Sequence, residues 1–270
     1  MQKNSDYRVI ILGARGSIPV SGPEFQKYGG ATSSVLLQTP ELEIVLDAGT
    51  GIINLPLYSK KKKIHLFLSH YHLDHLMGLP MCPAVFHPET EMTIYAPDIL
   101  PDLPGALEGI FHPPYWPVGV DSLPAKIQYK SVKNEINIED SPMKVRTLPL
   151  RHPKGCSAYR FDFPGGSLVY ATDCEPDEDG KKQLQEFSKG SELLVLDAQY
   201  TREEYERNKG FGHTTAQTAV ELMSAGGIKR CALFHHAPGR TDEQIEQMEK
   251  EIQQLDSRIF YARERMDIEL

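Results

Sequence analysis

Cysteine is scarce in this chain: 4 in 270 residues, Cys82, Cys156, Cys174 and Cys231, with no CxxC spacing among them. That excludes a cysteine-built zinc module and a redox dithiol, and free thiols in a chain of this length fit a reducing compartment. Long apolar runs are also missing. Val9 to Leu12, the first such run, is too short for the core of a secretion signal, and none approaches the ~18 residues of a membrane span. The expectation is a cytoplasmic protein with no membrane partner. Positive charge is in deficit, with 29 Lys and Arg against 37 Asp and Glu, a net charge of −8 and a pI near 5.7. That argues against broad nucleic-acid binding, which leans on basic surface to neutralise phosphates. Repeats, low-complexity tracts and linkers are absent from the sequence, and 40% hydrophobic residues suffice to bury a sizeable core. Residues 1–270 are therefore expected to form a single domain.

What the sequence does have is Ser69-His70-Tyr71-His72-Leu73-Asp74-His75, placed straight after the apolar run Ile64-His65-Leu66-Phe67-Leu68. The run reads as a buried strand, and Leu76-Met77-Gly78-Leu79-Pro80 after it as the opening of a helix or loop. Three histidines and an aspartate thus crowd onto a strand-to-loop junction. Imidazole and carboxylate are the ligand types of zinc and its first-row neighbours. The stretch reads as a metal site.

Other strands are expected at Val9–Leu12, Val35–Gln38, Glu43–Leu46, Met92–Pro97, Lys144–Leu148, Leu193–Leu196 and Cys231–Phe234, with edge strands at Lys126–Tyr129 and Ile136–Ile138. Ala158–Phe163 and Ser167–Tyr170 form a hairpin about Pro164-Gly165-Gly166. Helices are expected over 181–189, from Ala216 to Ala225 with Gly226-Gly227 as the stop, and from the Thr241-Asp242 cap to about residue 255. The proline- and aromatic-rich residues 97–125 read as a packed surface loop.

Apolar strands repeatedly end in a ligand-type residue. Asp47, the His70–His75 stretch, Asp173, Asp197 and His235 obey this rule, and His152 follows a further strand. Packed-sheet scaffolds place their active groups at such ends. The ordered set Leu46-Asp47-Ala48-Gly49, the HxHxDH of His70 to His75, then His152, Asp173 and His235 resembles the metallo-β-lactamase-fold hydrolases over nearly the whole chain. The resemblance implies an α/β fold, an αββα sandwich of two mixed sheets, with a two-metal site at the sheet edge. It implies that His70, His72 and His152 hold one metal, that Asp74, His75 and His235 hold the other, and that Asp173 bridges them. Asp47 matches a position that supports ligands without binding metal. His235 is favoured over His236 as the ligand by the family pattern, leaving His236 a substrate contact or a structural residue.

Two divalent ions about 4 Å apart can share a hydroxide and clamp phosphoryl oxygens. The leaving alkoxide then needs a proton. Gly212-His213-Thr214-Thr215 puts His213 at a helix start as the candidate donor, and Asp197 is the candidate partner that fixes its tautomer and favours its charged form. The pair resembles the Glu–His element of the phosphodiesterase branch, which includes ribonuclease Z, with aspartate as a shorter-reaching departure. Gly13-Ala14-Arg15-Gly16-Ser17-Ile18-Pro19 with Tyr28-Gly29-Gly30-Ala31-Thr32-Ser33-Ser34 resembles small-molecule members of that branch, acting on cyclic nucleotides or phosphoribosyl cyclic phosphate. Arg15, Ser17, Thr32 and Ser33 are candidate phosphate or ribose contacts. The expectation is a two-metal phosphodiesterase opening a small cyclic phosphate, with Asp74, Asp197 and His213 catalytic. Zinc is the first expectation for the metals, with manganese or iron as alternatives. Relatives of this kind suggest a homodimer. The alternatives are a ribonuclease Z-type endonuclease acting on tRNA 3′ ends and a non-catalytic metal sensor.

Overall fold

The structure is a computed structural model describing residues 7–139 and 141–270. Residues 1–6 and 140 lie outside the described residues. Two sheets of seven strands make the frame. The first contains β1 (Arg8–Gly13), β2 (Ser34–Gln38), β3 (Glu43–Leu46), β4 (Lys63–Phe67), β5 (Glu91–Pro97) and β6 (Lys126–Val132), with β14 (Asp267–Glu269) beside β1. The second runs β7 (Glu135–Asn137), β8 (Lys144–Leu150), β9 (Cys156–Phe163), β10 (Gly166–Ala171), β11 (Leu193–Asp197), β12 (Cys231–Phe234) and β13 (Ile259–Tyr261). In each sheet an antiparallel portion passes into a parallel one, β3 to β6 in the first and β10 to β13 in the second.

Strands buried on both faces explain the near-continuous apolar runs of the sequence. Val9 and Ile11 of β1, Ile44 and Leu46 of β3, Leu168 and Tyr170 of β10, and Leu193 and Val195 of β11 point into the layer between the sheets. Their neighbours point the other way: Ile10, Leu12 and Val45 outward from the first sheet, Val169, Leu194 and Leu196 outward from the second. This is the two-residue period of a pleated strand, with both outer faces covered.

The two outer layers differ. The second sheet is covered by α2 (Glu178–Ser188), α4 (Ala216–Ala225) and α5 (Asp242–Leu255), through Leu184, Leu222, Met223, Ile245 and Ile252. The first is covered mainly by 3₁₀ turns at Thr50–Leu57, Leu79–Met81 and Pro83–Phe86, joined by α1 (Leu103–Glu108). Pro56, Pro80 and Pro83 lie inside those turns, and proline lacks the N–H that α-helical continuation requires.

Helix α4 has the expected bounds, and Thr241 caps α5 through a reciprocal box with Gln244. The strands expected at the edges, β6 and β7, are edge strands, with β14 and β13 at the opposite edges. The stretch 97–125 is packed as expected, with Phe111 buried against Trp116, but it also contains the helix α1. Strands β13 and β14 and the helix α3 (Arg202–Arg207) complete the described strands and α-helices. None of these is foreshadowed by the sequence pattern, because segments of 3 to 6 residues show too little of any period to read. Among the described residues, no helix is long and apolar enough to cross a membrane.

Candidate metal centre

The C-terminal ends of β3, β4, β10, β11 and β12 meet at one rim of the sandwich. Three residues there leave their strands in the left-handed backbone region: Asp47 at φ 57°, Asp173 at 51° and His235 at 60°. Such values are uncommon outside glycine and are held by their surroundings at some cost. Here they swing a carboxylate or an imidazole off the sheet end and into a common space.

Two groups of ligand atoms form, each lying within 4.8 Å of one another: His70, His72, His152 and Asp173, and Asp74, His75 and His235. Asp173 touches both. Its carboxylate lies 3.6 Å from His70 Nε2 and 3.7 Å from His152 Nε2 on one side, and 3.2 Å from His75 Nε2 and 3.3 Å from His235 Nε2 on the other. His152 Nε2 is 3.1 Å from His72 Nδ1, and His75 Nε2 is 3.3 Å from His235 Nε2. These are the seven residues expected from the sequence, in the two sets and with the shared carboxylate expected. Asp173, Asp197, His213 and His235 form a further overlapping group.

The cluster fits divalent cations for two reasons. First, the outward-facing nitrogens of three of the histidines are tied down. His75 Nδ1 donates to Asp47 Oδ2 at 2.8 Å, His152 Nδ1 donates to the Gly212 carbonyl at 2.8 Å, and His70 Nδ1 lies 3.0 Å from Ser69 Oγ. Each bond leaves the Nε2 lone pair facing inward, the arrangement that prepares imidazole to bind a metal; His70 Nε2 is buried with no hydrogen-bond partner. Second, Asp47, Asp74, Asp173 and Asp197 are all buried, and buried carboxylates require compensating positive charge. Burial opposes ionisation of Asp74 and Asp173, yet the surrounding histidines hold both well below the usual carboxylate range. The reverse holds for His75: burial disfavours its charge, but Asp173, Asp74 and Asp47 push its pKa well above the usual value. Carboxylates that force a proton onto a fully buried ring offer a strong site for a cation.

Asp47 itself does not join the cluster. It accepts from the Ser69 N–H and hydroxyl at 2.7 Å each, from Tyr170 Oη at 2.8 Å and from His75. Ser69 and Tyr170 are functional residues the sequence reading missed. Only the adjacency of Ser69 to His70 hinted at either.

Asp197 Oδ2 and His213 Nδ1 are 2.7 Å apart, both buried. The shorter aspartate therefore still reaches the ring. Asp197 is fixed in turn by the Gln199 and Cys174 amides, at 2.9 and 3.2 Å. Burial lowers the affinity of His213 for a proton, but Asp197, aided by Asp173, pushes its pKa up to about 9. His213 stacks on His235 at 4.8 Å and packs edge-on to His152. It sits in the loop before α4, whose cap is Thr215, not in the helix start expected.

Four of the expected substrate contacts are turned into the fold. Arg15 is 1% exposed and donates to the carbonyls of Gly29, Arg240 and Ala237 at 2.8, 2.8 and 3.1 Å. Thr32 accepts from the Thr50 N–H at 2.8 Å, and Ser33 is fully buried. His236 Nε2 donates to the Ala262 carbonyl at 2.6 Å, and burial lowers its pKa to about 3. Arg15, Thr32 and His236 thus spend their polar atoms on backbone groups of the fold, while Ser33 Oγ is buried with no hydrogen-bond partner. Ser17 differs: it is exposed, and its N–H donates to Asp74 Oδ2 at 2.7 Å.

A sandwich of two mixed sheets with a histidine–aspartate centre at one rim defines a hydrolase of the metallo-β-lactamase fold. The chain belongs to the beta-lactamase superfamily, whose domain profile matches residues 43–236. Ribonuclease Z of Haloferax volcanii is 22% identical over 97% of this chain and 95% of its own length. Ribonuclease Z of Brevibacillus brevis is 34% identical, over 30% of this chain and 24% of its own length. Among solved structures, the metallo-beta-lactamase fold protein YhfI from Bacillus subtilis superposes with a TM-score of 0.76 at 18% identity, over 98% of this chain and all of that one. A diphosphatase from the PhnP family superposes at 0.72 and 20% identity, over 98% of each.

Proposed function

We propose that this hydrolase is a phosphodiesterase that opens a small cyclic phosphate diester, a cyclic nucleotide in the first instance. The observation that carries the reading is the buried Asp197–His213 pair lying directly against the cluster, with His213 Nδ1 4.0 Å from Asp173. Hydrolysis of an alkyl phosphodiester expels an alkoxide of high pKa, and a charged imidazole held at that point is the group such a reaction needs.

His70, His72 and His152 would hold one divalent cation, Asp74, His75 and His235 a second, with Asp173 between them; zinc is proposed, and manganese and iron are the alternatives for a nitrogen–oxygen donor set. Bound there, the two cations supply water activation at neutral pH and neutralisation of the phosphoryl charge. The protein's own part is positioning and proton transfer. The Ser17 N–H fixes Asp74 Oδ2. Asp197 engages His213 Nδ1, so the proton for the leaving ribose oxygen is carried at Nε2. A rigid rim would hold that donor beside the phosphoryl group before reaction, removing an entropic part of the barrier.

A ribonuclease Z-type activity is the second reading, supported by the Haloferax volcanii enzyme's match along nearly the whole chain. Against it stand the net charge of −8 and a 97–125 segment without a single lysine or arginine. The test is to load the purified protein with zinc or manganese and assay 3′,5′-cyclic AMP and GMP, 2′,3′-cyclic nucleotides and a precursor tRNA. Turnover of a cyclic substrate is expected. Cleavage of the precursor with no cyclic turnover overturns the first reading in favour of the second.

A further inference from the structure

Two residues after Asp173 lies a carboxylate that the proposed chemistry leaves idle. Glu175 is 4% exposed. Its Oε1 and Oε2 accept from the Gly210 N–H at 2.8 and 2.9 Å, and Oε2 accepts from the Gly212 N–H at 2.9 Å. Gly210 and Gly212 adopt φ of 91° and 89°, values that glycine alone reaches freely and that turn both amides onto one acceptor. At its other end, the Glu175 N–H donates to the Arg151 carbonyl at 2.9 Å.

Both tethered segments carry site histidines. Arg151 precedes His152, and Gly212 precedes His213. Gly212 is also the acceptor for His152 Nδ1, at 2.8 Å. A Cβ there would come within 2.2 Å of that nitrogen. The 210–212 turn is therefore gripped on its N–H side by Glu175 and on its carbonyl side by His152, with the proton-donor candidate as its next residue. A buried carboxylate is stable only where hydrogen bonds meet it, and here its backbone donors, Gly210 and Gly212, belong to the turn that leads into His213.

We propose that Glu175 is a positioning residue, which fixes the Gly210–Gly212 turn so that His213 reaches the leaving oxygen. The assignment rests on the reading of His213 as the proton donor.

The test uses the metal-loaded full chain with E175Q and E175A, where Gln keeps one acceptor oxygen and Ala keeps none. Two substrates separate proton donation from the rest of the reaction: 2′,3′-cyclic AMP, whose alkoxide needs a proton, and bis(p-nitrophenyl) phosphate, whose nitrophenolate leaves without one. For the cyclic substrate, kcat is expected to fall ~10-fold in E175Q and ~100-fold in E175A with KM within about twofold, while kcat for the nitrophenyl diester stays within about threefold. The Gly212 amide should exchange with solvent at least ~10-fold faster in both variants. Equal losses on the two substrates, or wild-type kinetics and exchange in E175A, overturn the proposal. Should E175A lose metal, E175Q at full metal content decides between the same outcomes. If the wild type hydrolyses only the nitrophenyl diester, the cyclic-substrate reading fails, and Glu175 is judged by exchange at Gly212: faster exchange supports the clamp and unchanged exchange refutes it.

Discussion

Replacing Asp47 by asparagine keeps the shape of the side chain and takes away one acceptor. The consequence can be worked from the donors around it. Oδ1 receives the Ser69 N–H, whereas Oδ2 receives the Ser69 hydroxyl, the Tyr170 hydroxyl and His75 Nδ1. If the new amide nitrogen takes the Oδ2 place, both hydroxyls can rotate, but His75 must shift its proton to Nε2, the nitrogen that faces the metal cluster. If the amide takes the Oδ1 place instead, it meets a backbone N–H that cannot turn away. The second orientation strands one buried donor, at about 1–3 kcal/mol; the first puts the His75 proton on the nitrogen that would bind metal.

The Ser69 hydroxyl gives its proton to Asp47 and so receives one from His70 Nδ1, 3.0 Å away. Asp47 thereby orients one histidine in each proposed ligand set. Loss of such an outer partner typically weakens metal binding by ~10–100-fold, equivalent to about 1.4–2.7 kcal/mol. Competition for zinc against a chromophoric chelator reads this directly. Both equivalents should weaken in D47N, whereas S69A, which cuts only the His70 arm, should weaken one. Wild-type affinity for both equivalents in D47N would refute the reasoning.

Other perturbations test separate parts of the structure. His213→Ala should lower kcat on an alkyl phosphodiester by ~10²–10⁴ with full metal content by elemental analysis; loss of metal instead would make His213 a ligand. Gly212→Ala forces a side chain into the left-handed region and onto His152 Nδ1, and should weaken the metal proposed at His152 and depress the unfolding midpoint, both measurable in one chelator titration followed by melting. His65 lies away from the centre, 3% exposed and bonded to Tyr95. Its pKa is lowered to about 4, first by burial and then by Lys63 and Lys130. The unfolded ring takes a proton near pH 6.5 and the folded ring does not, so its contribution is intact above that pH and declines as pH falls toward 4, by about 3 kcal/mol in all. Urea titrations at pH 7 and pH 4.5 should show His65→Gln losing less stability on acidification than the wild type; equal losses would exclude His65 as the source.

The residues that cluster at the rim were legible because they follow the ends of apolar strands, a local pattern that survives without coordinates. The double-sided burial of those strands was legible for the same reason, since a run such as Ile44-Val45-Leu46 must hide both faces. Local reading failed where the evidence was short or depended on what lies opposite. Ile259–Tyr261 and Asp267–Glu269 are strands only because β12 and β1 stand beside them with free edges. Arg15 and His236 carry side chains suited to a phosphate, but carbonyls from residues 29, 237, 240 and 262 reach them first.

The sequence by itself determined which residues are offered to the rim, because ligand chemistry and strand periodicity are both local. The tertiary structure alone decided which of them meet and how they are held. The contact of Asp197 with His213, the shared place of Asp173 between two clusters and the grip of Glu175 on the glycine turn join residues 16 to 103 positions apart. Hydrogen bonds at that separation are fixed by sheet packing and by left-handed turns at Asp47, Asp173 and His235, which a linear pattern does not encode.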